Sequence, residues 1–245
     1  MCGRFTLATP AAEWASLFGL NEVPDLDPRY NIAPTQDVAA IRSTAPAQGG
    51  DASPEAPPEP ARANREMVAL RWGLVPHWAR EFDPVGRAMI NARSETAAEK
   101  PSFRDSFRFR RCLVVADGFY EWRPEGRRKQ PYWIHLAERR PFAFAGLWDR
   151  WTGGEGAPVE SCTILTTDAN EALRPLHDRM PVILDPTAHA TWLDPDAPLW
   201  ELQRLMAPLP PEAIAFHPVS TRVNHVANDD PECIELLRTQ TELFR

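Results

Sequence analysis

The sequence lacks the features that would send a chain into a membrane, out of the cell or onto a metal. No apolar run reaches the roughly 18 residues that a membrane-spanning helix needs, so none is expected and no membrane partner is implied. The opening MCGRFTLATPAAEW has no basic stretch leading into an apolar one, which argues against an export signal and places the chain in the cytoplasm. Cys2, Cys112, Cys162 and Cys233 are far apart and form no CxxC, so neither a zinc knuckle nor a disulfide framework is signalled. Cys112 and Cys162 sit in apolar runs and read as core. The histidines have no HxxxH spacing, and neither a metal nor an organic cofactor is expected. Positive charge is also in deficit. A net charge of −7 has the wrong sign for coating duplex DNA, so any nucleic-acid site must be local. Lys100 and Lys129 are the only lysines among 27 lysine and arginine residues. Arginine suits phosphate clamps, although so lopsided a ratio also follows from a GC-rich genome.

No βαβ alternation and no internal repeat is visible. Strand-like runs dominate: Arg4 to Leu7, Asp37 to Arg42, Met67 to Trp72, Ala88 to Arg93, Tyr132 to Leu136, Phe142 to Leu147, Ser161 to Thr166, Pro181 to Leu184 and Ile214 to Val219. Cys112 to Ala116 and Phe119 to Trp122 flank Asp117-Gly118, which reads as a tight hairpin turn. Thr9-Pro10 predicts a helix start, with Ala11 to Phe18 stopped by Gly19. Further helices are expected at Ala169 to Leu173, Leu199 to Met206 and Pro231 to Leu237. Pro28 to Pro34 reads as loop. Residues 44–65 are rich in Ala, Pro, Gly and Glu and predict a disordered insertion. The expectation is one α+β domain over residues 1–245, built on a curved, mostly antiparallel, barrel-like sheet with short flanking helices.

The chemistry starts at Met1-Cys2-Gly3-Arg4. Removal of one methionine leaves a cysteine whose amine and thiol sit on adjacent carbons. Such a 1,2-aminothiol condenses with an aldehyde: the amine forms a Schiff base and the thiolate closes a five-membered thiazolidine. The amine titrates near roughly 8 and the thiol near about 8.5, so both nucleophiles are accessible at neutrality. The plain alternative is a small residue at an untethered chain end. Asn91 and Arg93 alternate on an extended segment and face the same way, an amide beside a cation that suits a sugar oxygen and its phosphate; strand-end capping with an Arg–Glu95 ion pair is the plain alternative. Glu121 lies among aromatic neighbours in GFYEW. Water exclusion there favours a carboxyl group that gives and takes protons near neutrality, or a Glu buried against an arginine. His177 stands between a helix and a strand, where a histidine can shuttle protons. The adjacent Asp178 is not read as a triad partner, because neighbouring residues rarely point at each other. Arg104, Arg108, Arg110 and Arg111 interleave with Phe103, Phe107 and Phe109, a mixture that suits phosphate neutralisation with base stacking, or else a solvated charged face; Arg123, Arg127, Arg128 and Lys129 extend the basic patch.

Six ordered blocks carry a resemblance: MCGRF, YNIAPT at 30–35, RWGLVP at 71–76, NARSET at 91–96, RCL through GFYEW at 111–122, and HDRMP at 177–181. Together they closely resemble the SOS-response-associated peptidase (SRAP) family, and they span nearly the whole chain. The resemblance implies a protein that recognises abasic sites in single-stranded DNA and crosslinks itself to them through its N-terminal cysteine, shielding the lesion from strand cleavage. It implies Cys2 as nucleophile, Asn91 and Arg93 holding the lesion and its phosphate, Glu121 moving protons, and His177 assisting as acid or base. It also implies that Arg4 and Trp72 line the DNA path and that the chain removes its own Met1. A monomer is expected, cytoplasmic and nucleoid-associated when bound to DNA. The long insertion at 44–65 departs from the family pattern. Two rival functions stay open: a cysteine peptidase whose N-terminal nucleophile acts on itself or on other peptides, and a non-covalent binder of modified bases.

Overall fold

The computed structural model describes residues 2–22, 25–44, 65–81, 89–154 and 156–237. In chain order the strands are β1 (Phe5–Leu7), β2 (Arg29–Ile32), β3 (Asp37–Ser43), β4 (Arg65–Trp72), β5 (Asn91–Arg93), β6 (Arg111–Ala116), β7 (Gly118–Glu125), β8 (Arg128–Leu136), β9 (Phe142–Trp151), β10 (Val159–Asp168), β11 (Arg179–Pro181), β12 (Ile183–Leu184) and β13 (Ile214–Pro218). Short helices α1 (Ala11–Trp14), α2 (Ser94–Ala97), α3 (Arg104–Phe109), α4 (His189–Leu193) and α5 (Leu199–Leu205) flank them.

Strands β4, β3, β6, β9 and β10 pair antiparallel in that order, and the ring closes where β10 lies parallel to β4, with Cys162 opposite Trp72. Closure abolishes free edges and buries both faces of the innermost strand, and all six positions of β6 are buried. Gly146 in β9 permits the tight interior, since a Cβ there would lie 2.7 Å from the Cys112 sulfur. Beyond β4, β5 continues along the same side of β10, pairing Asn91 with Ile164 and Arg93 with Thr166. Strand β11 pairs with β10 across Thr166 to Asp168.

A second antiparallel sheet, ordered β13-β8-β7-β1-β2, lies against the barrel. Its inward residues Phe5 and Phe119 pack edge-on against Phe144 of β9 at 5.7 and 6.0 Å, and Phe5 meets Trp72 at 5.1 Å. Each such buried aromatic contributes roughly 2 to 3 kcal/mol of apolar burial. The outer face carries a smaller cluster of Tyr120, Trp133, Val219 and Val223.

Several sequence expectations change. Asp117-Gly118 is not a hairpin turn: β6 stays in the barrel while β7 pairs with β1 and β8, so the chain crosses there from one sheet to the other. The Asp117 carboxylate instead accepts hydrogen bonds from the Thr6 hydroxyl (2.5 Å), the Ala8 and Thr9 amides (2.6 and 2.7 Å) and the Thr9 hydroxyl (2.9 Å). Gly118 serves a close approach, because a Cβ would sit 2.2 Å from the Trp133 indole nitrogen. Thr9 is thus occupied with Asp117, Pro10 takes the capping position of α1, and the α-helix ends at Trp14, short of Gly19. The expected loop at Pro28 to Pro34 contains β2, its amides anchored by Asp229. Ala169 to Leu173 forms a turn, and Pro231 to Leu237 only a 3-10 turn at Pro231–Cys233. The insertion expected over 44–65 falls, apart from its two end residues, outside the described residues, as do Met1 and Ala88.

Candidate active site

Cys2 is fully buried at the seam between the two sheets. It precedes β1, whose short ladder to β7 places Phe5 opposite Phe119, and the Tyr120 amide donates to the Arg4 carbonyl at 3.0 Å. That pairing brings the chain start alongside Glu121, the next residue on β7. Across the seam Asn91 donates its amide Nδ2 to the Cys2 carbonyl at 2.8 Å, while its Oδ1 is buried without a hydrogen-bond partner. Asn91 is aimed by its strand and by the residue before it: Trp72 Nε1 donates to the Ile90 carbonyl at 2.9 Å.

The electrostatics of the sulfur follow from this placement. Burial pushes the Cys2 thiol well above the usual thiol range, and the negative charge of Glu121 raises it further. The Arg4 carbonyl, 3.6 Å from the sulfur, offers the thiol an acceptor. The thiol is therefore held protonated, within the electrostatic reach of Glu121. Glu121 is itself only 5% exposed.

His177 lies just before β11, which flanks the end of β10 whose other side carries Asn91 and Arg93. The Arg179 amide approaches His177 Nδ1 at 2.9 Å. The Asp178 carboxylate, 86% exposed, lies 2.9 Å from the same Nδ1, a contact that is an ion pair only when the ring is protonated. No Ser-His-Asp-like relay is built from this pair.

The basic residues divide. Arg93 is exposed at the end of β5. Its expected partner Glu95 is taken instead by Arg179, which is mostly buried and grips both carboxylate oxygens at 2.6 and 2.9 Å while also reaching Asp168 and the Thr166 carbonyl. That bond holds the Glu95 carboxyl below its ordinary range and raises the Arg179 guanidinium. Arg4 is half-buried and donates to Asn31 Oδ1 at 2.7 Å and to the Val223 carbonyl at 2.8 Å. Arg104 and Arg108 are exposed on α3, four residues apart and hence on one helix face. Together with Phe109 and Leu199 they line a groove of about 740 Å³ that none of Cys2, Asn91 or Glu121 enters. Arg110 is engaged with Asp149 at 3.1 Å.

Two expected surface residues prove to be internal. Trp72 is fully buried against Phe5 and cannot line a DNA path; its indole instead steadies the strand carrying Asn91. Arg111 is 5% exposed and donates to the carbonyls of Phe107, Arg108, Trp192 and Asp194, closing the C-terminal end of α3. Three residues that support the site escaped the sequence reading. Asn31 is wholly buried and bonds Arg4 together with the Val223, His225 and Asn228 carbonyls. Asp117 pins the chain just after Cys2, and Arg179 frees Arg93 from Glu95. The available signal was a polar or charged residue inside an otherwise apolar block, as with Asn31 in YNIAP and Asp117 in VVADGF.

Among the described residues no group of three His, Cys, Asp or Glu side chains could hold a metal, and no helix is long and apolar enough to cross a membrane. Among curated proteins, the chain is 39% identical over 244 residues to the abasic site processing protein YoqW of Bacillus subtilis (strain 168), covering 96% of this chain and 99% of that one. It is 38% identical over 270 residues to the abasic site processing protein HMCES of Gallus gallus, covering 96% of this chain and 77% of the relative. A crystal structure of a protein from Bacteroides thetaiotaomicron superposes with a TM-score of 0.80 at 27% identity, over 97% of this chain and 100% of that one. Residues 1–226 match the family described as SOS response associated peptidase (SRAP), and the chain belongs to that family.

Proposed function

We propose that this chain processes abasic sites in single-stranded DNA by forming a covalent crosslink through Cys2 once Met1 has been removed. The observation that carries the proposal is the seam itself: a buried cysteine near the chain start, its carbonyl held by Asn91 and its thiol under the charge of Glu121. The names borne by the relatives support abasic sites as the substrate.

The chemistry runs in a fixed order. The open form of an abasic sugar is an aldehyde. The freed Cys2 amine attacks first, and loss of water gives an imine. The sulfur then adds to the imine carbon, its proton passing by way of Glu121 to the nitrogen, and the thiazolidine ring closes. Asn91 presents its unpaired Oδ1 to a sugar hydroxyl, Arg93 meets the adjacent phosphate, and His177 exchanges a proton with the sugar as its ring opens. A missing base leaves nothing for base readout, so backbone contacts and stacking suffice, and a local basic track is compatible with an acidic chain.

A labelled single strand containing one abasic site, incubated with the purified protein and run on a denaturing gel, tests the proposal. Wild type gives a shifted band and Cys2→Ala none. An unshifted wild type, or an unchanged band with Cys2→Ala, overturns it. Peptide hydrolysis by the mature chain would instead support the peptidase alternative, for which the same Cys2 supplies the nucleophile.

A further inference from the structure

The hairpin of β7 and β8 extends beyond the seam and carries a charge pattern for which the chemistry at Cys2 has no use. Its register sets Glu121 opposite Tyr132, Arg123 opposite Gln130 and Glu125 opposite Arg128. Alternate residues of a strand share a face, so Arg123, Tyr132 and Arg128 lie on the same face as Glu121. Phe119, also on that face, packs on the barrel, so this is the side of the sheet that meets the seam. Arg123 stacks over the Tyr132 ring at 4.8 Å, and Tyr132 in turn meets the exposed Phe216 of β13 edge-on at 5.9 Å. The opposite face is tied down: Trp122 Nε1 donates to Asn224 Oδ1 at 2.8 Å. The arm is therefore anchored along its length and turns at Gly126, whose φ is +61°.

Charge concentrates at the tip. Arg123 is paired with Glu125, whereas Arg127, Arg128 and Lys129 are all exposed and no carboxylate among the described residues pairs with them. In a chain of net charge −7 a cluster of three unpaired cations is an outlier. Four strand positions separate Glu121 from the tip pair Glu125–Arg128, or roughly 13 Å. Phosphates of a stacked strand are about 3.4 Å apart, so the tip falls within about four phosphates of a lesion held at Cys2.

We infer that this hairpin is a second contact surface for the DNA, in which Arg123 stacked on Tyr132 faces the nucleotide beside the lesion and Arg127, Arg128 and Lys129 hold phosphates of the flank beyond it. The register assigned to the flank rests on the reading of Cys2 given above. Arg123 and Arg128 share the face that meets the seam, whereas Arg127 lies in the turn and Lys129, opposite Pro124, on the other face, so the tip offers cations to a strand that passes around it.

The test measures binding of fluorescein-labelled single strands by anisotropy across a salt series: an abasic strand with long flanks, the same strand trimmed on one side or the other, and an undamaged strand. The proteins are wild type, a triple variant Arg127→Ala, Arg128→Ala, Lys129→Ala, and Arg123→Ala, each checked for an unchanged thermal midpoint. Losing three phosphate contacts at about 0.7 each makes the slope of log affinity against log salt shallower by about 2 and weakens long-strand binding about tenfold at low salt. The strand trimmed on the hairpin side binds wild type and triple variant alike. Equal slopes for wild type and variant, or the same loss whichever flank is trimmed, overturns the inference. The undamaged strand keeps the two proposals separable: the absence of a crosslink between wild type and the abasic strand sinks the reading of Cys2, while equal slopes for wild type and triple variant on the undamaged strand sink the hairpin.

Discussion

Burial governs how Cys2 can react. Burial and the charge of Glu121 raise the Cys2 thiol, so the proposed sulfur attack calls for a local acceptor of its proton, the role proposed for Glu121. Glu121→Gln keeps the shape and removes the base. Crosslink formation in single-turnover gels is expected to slow by about a hundredfold, within the range of one acid–base group, while anisotropy with the same strand stays near wild type. A loss confined to affinity would make Glu121 structural. In wild type the rate should climb with pH across neutrality, as the proton to be removed becomes easier to lose; a rate that falls over that range would contradict the thiol's placement. At this scale the sequence told much about chemistry and little about depth. Cys2, Asn91 and Glu121 could be singled out as candidates because an aminothiol, an amide and a carboxylate each have a specific use. Trp72 and Arg111 were misplaced because nothing in an indole or a guanidinium says whether it faces solvent or a set of backbone carbonyls.

Strand β1 is three residues long, and a segment that short is held by what anchors it. Asp117 does so with one carboxylate on Thr6, Ala8 and Thr9, so its role is to fix the start of the chain against the crossing point between sheets. Asp117→Ala leaves buried donors without an acceptor and is expected to cost about 4 kcal/mol, measured by urea unfolding. A loss under about 1 kcal/mol would show that these bonds are readily replaced. Most strands were legible because their alternation and β-branched content are local properties. The Asp117-Gly118 turn was not, since the same dipeptide serves a hairpin or a crossing, and only the partners of the flanking strands distinguish them. Strand β2 was hidden by Pro28 and Pro34, which bracket it without interrupting it.

The site exists only where two sheets meet: Cys2 and Glu121 come with one, Asn91 and Arg93 with the other. No local pattern could reveal that seam, which depends on the closing of β10 on β4 and the docking of Phe5 and Phe119 on Phe144. One further consequence for the whole molecule concerns pH. His189 in α4 is almost fully buried and stacked on Phe18 at 5.1 Å, and burial with nearby Arg65 pushes its ring down to about 4. A group whose folded value is depressed in this way stabilises the fold while neutral. That contribution is complete above roughly pH 6.5 and is lost as pH falls from there to about 4, amounting to about 3 kcal/mol. Urea unfolding of wild type and His189→Leu should show wild type losing this extra stability over that window, with the variant spared. Parallel losses in both proteins would locate the acid sensitivity elsewhere.

The most direct test of the central claim is the mass of the N-terminal peptide after the protein has reacted with an abasic strand and been digested with nuclease and protease. The account predicts a peptide beginning at Cys2, without Met1, carrying the sugar remnant minus one water, with neither its amine nor its sulfur open to alkylation. A remnant on any other residue, or on a peptide that still begins with Met1, would contradict it.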